Sequence, residues 1–315
     1  MGKYIFKRLL IALPVLIGIT VIDYLLMTAA GNPLDMISGA RVSEAAKAVR
    51  AEQLGLNDPI FLQYGRWIWQ ILHGNFGISL KTRQPVSEMI LSHLGPTLLL
   101  MGVSLLISFL FTIPFGVYSA VHQYQAGDYL IVGFSFFAMS IPGFFLSLLL
   151  IYIFTVRLQL LPSGGMMTLG GGGGFLDLAR HMVMPVLVLS VSMTGTNLRY
   201  IRSAVLEILG ADYLRTAQAK GIGRFRVISR HALRNALIPV ITVFGMEIPV
   251  LFGGSIIVEQ IFNWPGLGLL TMSAILSRDY PVIMAVGLIS AVIVLIGNLV
   301  TDLLYALADP QVTLT

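Results

Sequence analysis

Cysteine is absent from the 315-residue chain, which excludes disulfides and thiol chemistry and leaves the redox compartment unread. Charge is scarce. Asp, Glu, Lys and Arg make up 11% of the residues, whereas a soluble domain carries about 25%. With 56% hydrophobic residues and a mean hydropathy of +0.85, the chain lacks the polar surface to face water all round. It reads as an integral membrane protein. Enzyme signatures are missing as well: there is no His-Glu-x-x-His and no Gly-x-Ser-x-Gly. The histidines (His73, His93, His122, His181, His231) are scattered without helical metal spacing. The run Gly170–Gly174 lacks the following Lys-Ser/Thr of a phosphate-binding loop, so it reads as a flexible connection. A membrane-embedded enzyme stays as the alternative class, with no residue to support it.

What the chain has is a series of apolar runs. Lys3, Lys7 and Arg8 precede the run Leu9–Ala29. A signal peptide has this layout, but the run is long enough to span and no small-residue cleavage site ends it. It is read as a retained first span with its N-terminus inside. Residues 31–96 are too polar to span and hold Trp67 and Trp69, with candidate short helices at Val42–Leu54 and Ile60–Leu72. Further spans are expected at Thr97–Val121, Tyr129–Val156, Met182–Leu198, Leu237–Val258 and Pro281–Leu307. The expected fold class is therefore an all-α membrane protein with six transmembrane helices and both termini cytoplasmic. Its organisation is 1–30 (start and first helix), 31–96 (an outer insertion) and 97–315 (a five-helix core).

The polar loop 199–236 carries Arg199, Arg202, Arg215, Lys220, Arg224, Arg226, Arg230 and Arg234 against Glu207 and Asp212, a bias that puts it on the cytoplasmic side. Asp212 is placed to N-cap a helix Tyr213–Lys220, and Gly221 to close it. A second helix starts near Arg224 or Phe225, with Phe225, Ile228, Ala232 and Ala236 on one side and Arg226, Arg230 and Arg234 on another. A DNA-binding helix-turn-helix has this outline, but a knob tethered to spans at both ends does not enter a groove easily. A plain positive-inside loop explains the charge and not the order. Docking onto a cytoplasmic partner explains both.

Glu247 falls at the centre of the fifth expected span, beside Pro249 and the Gly253-Gly254 pair that permit a bend. An acid there reads either as a pathway-lining group or as a hydrogen-bonded structural one. Asp23 and Asp302 lie close enough to span ends to reach an interface, and Asn197 and Asn298 read as interhelical glue.

The knob resembles the cytoplasmic EAA loop of permease subunits in bacterial ABC importers. The acidic and first alanine positions of that loop read Arg215-Thr216 here, followed by Ala217 and the glycine Gly221, and its later positions read His231-Ala232-Leu233-Arg234. RTAQAKG followed by RHALRNALIP is similar to the version in the dipeptide/oligopeptide/nickel permease family, of the first-permease type. Agreement extends to LGLNDPIFLQYGRWIWQILHGNFGIS (54–79), GGSIIVEQIFNWPGLG (253–268), RDYPVI (278–283) and ALADP (306–310). The tail departs: Gln311-Val312 stands where an arginine commonly follows the Asp-Pro.

The resemblance implies a type I ABC importer permease in a bacterial cytoplasmic (inner) membrane. This chain would form a pseudo-twofold pore with a homologous second permease. Two ATPase subunits would dock on Asp212, Tyr213, Arg215, Ala217, Ala219, Lys220 and Gly221. ATP and Mg²⁺ would sit in those subunits, with no cofactor on this chain. A substrate-binding protein would deliver cargo from outside, and Glu247 would line the pathway. The implied cargo is a di- or oligopeptide, with a nickel chelate or glutathione as the alternative in the same family.

Overall fold

A computed structural model describes residues 2–29, 52, 57–168, 170, 173–211, 240, 243–245, 247, 250, 251 and 255–308. Among the described residues every regular element is helical, and the single bridge Ile78–Pro85 is the only extended pairing. The helices are α1 (Gly2–Ala29), α2 (Ile60–Leu72), α3 (Val86–Val121), α4 (Ala126–Ser140), α5 (Gly143–Leu150, continuing as a π-helix over Ile151–Arg157), α6 (Phe175–Leu209), α7 (Ile256–Ile261), α8 (Leu267–Leu276) and α9 (Tyr280–Ala308). Within the described residues, α1, α3, α6 and α9 are long and apolar enough to cross a membrane, and the bent pair α4–α5 makes a fifth crossing if counted as one span.

Of the two short helices expected in the outer insertion, Ile60–Leu72 forms as α2. All but one residue of Val42–Leu54 lies outside the described residues. The spanning helices run past the ends that hydropathy marks. α3 starts at Val86 rather than Thr97, and its 36 residues extend about 54 Å, well beyond the ~30 Å hydrocarbon thickness. α6 covers Phe175–Leu209 where Met182–Leu198 was expected. The expected single span Tyr129–Val156 is instead broken, with α4 and α5 bent by 94°. The cause is Pro142. It supplies no N–H and forces the residue before it out of the helical region, and Ile141 is extended at φ −81, ψ 119.

The centre of the molecule is the packing of α3 on α6. Ser104, Ser108, Thr112, Gly116 and Ser119 form a buried stripe of small residues along α3. Small residues let helix backbones approach closely where no water drives association. A Cβ on Gly116 would come within 2.8 Å of Ile201 Cγ2 of α6, so glycine is required for the approach. Thr194 Oγ1 of α6 donates to Ser108 Oγ at 3.2 Å. On the other side of α6, a Cβ on Gly195 would meet Ala138 Cβ of α4 at 3.0 Å. α1 stands at the flank against α9, with Arg8 and Asp302 paired at 2.8 Å near one end.

Candidate functional site

The seven residues expected to dock ATPases (Asp212, Tyr213, Arg215, Ala217, Ala219, Lys220, Gly221) lie outside the described residues. Their attachment does not. α6 closes at Leu209 with the amides of Gly210 and Ala211 donating back to its last carbonyls, and Asp212 follows at once. Two of the eight basic residues of that loop, Arg199 and Arg202, belong to α6. Both already have work. The Arg199 guanidinium lies 5.6 Å from the centroid of the Phe136 ring on α4.

Arg202 forms a two-point pair with Asp128, Nε to Oδ1 at 2.8 Å and Nη2 to Oδ2 at 2.9 Å. Asp128 is buried in the first turn of α4. It also accepts the Ser119 hydroxyl of α3 and the Tyr124 amide at 2.9 Å. One carboxylate thus joins the end of α3, the connecting turn, the start of α4 and α6. Charge counting alone treats Arg202 as a topology signal, and its partner sits 74 positions away in the chain.

Deeper in α6, Asn197 is buried and donates from Nδ2 to Glu247 Oε1 at 2.9 Å. The interhelical amide and the midspan acid singled out in the sequence therefore meet in one hydrogen bond. Glu247 keeps partial exposure. Next to it, Thr301 of α9 donates to Gly245 O at 2.7 Å, and a Cβ on Gly245 would lie 2.3 Å from Thr301 Cγ2. Glu247 is thus held to α6 and Gly245 to α9. The bend expected at Pro249 and Gly253-Gly254 lies outside the described residues.

The motif SIIVEQIFNWPGLG builds a lock at the opposite end of α3. Glu259 is fully buried. It accepts Thr97 Oγ1 at 3.0 Å and the Leu269 amide at 3.1 Å. Thr97 in turn accepts the Leu267 amide at 2.7 Å, and the Trp264 indole donates to Pro96 O at 2.9 Å. Burial pushes the Glu259 carboxyl above the usual glutamate value, outweighing the hydrogen bonds that pull it down. Nearby, buried Asp279 of the motif RDYPVI accepts the Ser79 hydroxyl and the Leu80 amide at 3.0 Å, pinning the loop after α2 to the start of α9. Sequence reasoning passed over Thr97, Glu259, Ser79, Asp279 and Asp128 as single residues. The available signal was the pair Gly266 and Gly268 after Trp-Pro, since glycines at that spacing mark a close approach.

Among the described residues no group of three or more His, Asp or Glu is placed to hold a metal. The arrangement has instead a tight small-residue core and polar locks at both ends of α3, which suits a bundle that moves as rigid pieces.

Residues 112–314 match the family described as "Binding-protein-dependent transport system inner membrane component", and residues 1–102 match "Binding-prot-dependent transport system membrane comp, N-term". The chain is 45% identical over 314 residues to the oligopeptide transport system permease protein AppB of Bacillus subtilis (strain 168), covering 99% of each. It is 38% identical to the glutathione transport system permease protein GsiC of Salmonella paratyphi A and 36% identical to the dipeptide transport system permease protein DppB of Escherichia coli (strain K12), with 99% of each chain covered. In structure it is similar to a chain of the MetNI methionine ABC transporter in an inward-facing form, with TM-score 0.56 and 17% identity over 70% of this chain and 96% of that one.

Proposed function

This chain belongs to the membrane components of binding-protein-dependent ABC importers, and from that premise we propose that the cargo it helps to import is a dipeptide or oligopeptide. It is a multi-pass permease subunit and not an enzyme. The end-to-end likeness to a relative named for oligopeptide transport carries the cargo reading. A relative named for glutathione, itself a short peptide, favours that cargo as the second reading. A homologous permease completes the pore, two ATPase subunits hold ATP and Mg²⁺ beneath it, and an extracytoplasmic binding protein delivers the peptide. The membrane is the bacterial cytoplasmic one.

In this reading the loop's role comes from its resemblance to the coupling loop of such permeases, and the passage of its movement from the geometry of α6. Asp212, Tyr213, Arg215, Ala217, Ala219, Lys220 and Gly221 receive the displacement of the ATPases. α6 passes it on, because the Arg202–Asp128 pair ties the helix to α3 and α4. Alternating access then requires that nucleotide and loaded binding protein favour different states of the bundle. The test is peptide uptake by vesicles holding the full complex, with Gly221→Val as the variant. A β-branched residue resists the positive φ of a helix-closing position at a cost of about 1–3 kcal/mol. Uptake and peptide-stimulated ATP hydrolysis should fall together by roughly tenfold. Uptake at the normal rate would move the coupling helix elsewhere, and hydrolysis stimulated by no peptide would remove the cargo reading.

Six spans with both termini cytoplasmic put residues 31–96 outside. There they meet the binding protein or cover the pore mouth. A single cysteine from Ser43→Cys should react with an impermeant thiol reagent in whole cells whose outer envelope admits it. Labelling only after the inner membrane is opened reverses the topology.

Glu247 lines the pathway in this reading, steadied by Asn197. An acid at mid-membrane is costly against lipid, so it faces the interior of the assembly. Glu247→Gln keeps the shape and the bond to Asn197 and removes the charge. It should change uptake rate or cargo preference while the complex still assembles, and unchanged uptake of every peptide tested would leave only a structural role.

A further inference from the structure

The flank of the molecule carries a helix face with no protein partner among the described residues. None of the residues of α2 is buried. One side of it, Gln63, Tyr64 and Trp67, rests on α1: Thr20 Oγ1 and Tyr64 Oη are 2.8 Å apart, Tyr24 Oη donates to Gln63 Oε1 at 3.2 Å, and the Tyr24 ring lies 5.7 Å from that of Trp67. The other side presents Phe61, Trp69 and Leu72, which are 68%, 66% and 74% exposed and follow each other at helical spacing. Leu62 widens the stripe.

Depth decides what covers this stripe. Thr20 precedes Ala29, the end of α1, by nine residues, or about 14 Å of rise, and Tyr24 by five residues, or about 7 Å. Allowing for the reach of a tyrosine ring, the α2 backbone runs level with the last two turns of α1. At that level α1 itself is exposed on its apolar side through Val21, Ile22, Leu25 and Leu26. α1 is a membrane-crossing helix packed on α9, and the lipid that surrounds those turns reaches the neighbouring helix too.

The geometry points to α2 as an in-plane membrane helix, its stripe of Phe61, Trp69 and Leu72 seated among the acyl chains of the leaflet at the C-terminal end of α1. The argument holds for either orientation of the chain. Charge plays little part. The cation of α2, Arg66, is paired with Asp58 at 2.6 Å, so anionic headgroups are not the anchor, and buried apolar area is. Trp69, lying 4.4 Å from the His73 ring, has the amphipathic character that settles at the headgroup boundary.

The cysteine-free chain permits a direct test. Nitroxide is attached to single cysteines from Phe61→Cys, Trp69→Cys, Leu72→Cys and Gln70→Cys in the full complex, its other subunits also cysteine-free, in phosphatidylcholine vesicles. Collision with oxygen should exceed collision with a water-soluble nickel chelate at 61, 69 and 72, and the order should reverse at 70. Adding phosphatidylglycerol should leave the order unchanged. Faster nickel than oxygen collision along the stripe would place it in water. Labels immobilised and shielded from both reagents would show a protein cover, residues 30–56 or the second permease. Immobilisation that appears only with binding protein would assign the stripe to that partner. Three stripe positions keep the test open if one variant fails to assemble.

Discussion

Gly266→Val is expected to abolish recovery of an assembled permease. A Cβ at this position would sit 2.4 Å from Thr97 Oγ1 and 2.5 Å from Glu259 Oε2, closer than carbon and oxygen pack. Neither neighbour has room to withdraw, because both are fully buried. Thr97 holds the Leu267 amide and donates to Glu259, and Glu259 holds the Leu269 amide. Moving them strands several buried polar groups at about 1–3 kcal/mol each. Overpacking adds about 1–3 kcal/mol. Together these approach the ~5–15 kcal/mol that holds an ordinary domain folded.

Thr97→Val isolates the hydrogen bonds, since it keeps the shape and removes one acceptor and one donor. It should cost about 1–3 kcal/mol and leave an assembled but less heat-stable complex. Thermal unfolding of the detergent-purified complex, read for both variants, gives the order. Wild-type yield and midpoint for Gly266→Val would mean that the lock is loose.

The same cradle gives a pH dependence. Burial holds the Glu259 carboxyl above its ordinary value of 4.5, so the native state keeps a proton that the unfolded chain has already lost. Stability from this group is full below 4.5 and declines as pH rises through the raised value. Glu259→Gln has no proton to lose, so its midpoint should change less over that window than that of the parent.

How far such features can be read from sequence depends on their range along the chain. Ile60–Leu72 carries its own periodicity and forms as expected. α9 runs Tyr280–Ala308, close to the apolar run that announces it. The ends of α3 and α6 were legible only in part, because hydropathy stops at Glu88, Ser92 and His93 while the backbone hydrogen bonds continue through them. The break at Ile141-Pro142 was visible in the sequence as a proline inside a span, and apolar continuity hid it. The locks were not legible. Thr97 meets Glu259 across 162 positions and Ser79 meets Asp279 across 200, and one sequence carries no record of pairing. Glu247 and Asn197 were each legible as costly groups in lipid, but not as partners.

Arg202→Met is expected to uncouple the loop-bearing end of the bundle. The guanidinium holds Asp128 at two points, and Asp128 is buried with the Ser119 hydroxyl and the Tyr124 amide on the same carboxylate. Removing the cation leaves a buried anion at a cost of about 3–5 kcal/mol. The position makes the loss more than a matter of stability. Arg202 lies two turns before the end of α6, which leads into the basic segment 212–236. Without the pair, α6 can shift against α3 and α4, and displacement of the loop is absorbed instead of being transmitted. ATP hydrolysis by the complex should then persist while peptide uptake falls. Asp128→Leu combined with Arg202→Met replaces both charges by apolar groups, and such exchanges are often close to neutral in stability. The double variant should recover the thermal midpoint lost in Arg202→Met but not the ratio of uptake to hydrolysis, since an apolar contact lacks the two-point geometry. Recovery of both would make the pair a stability element only, and a single variant as stable as the parent would mean the carboxylate is not buried in the working complex.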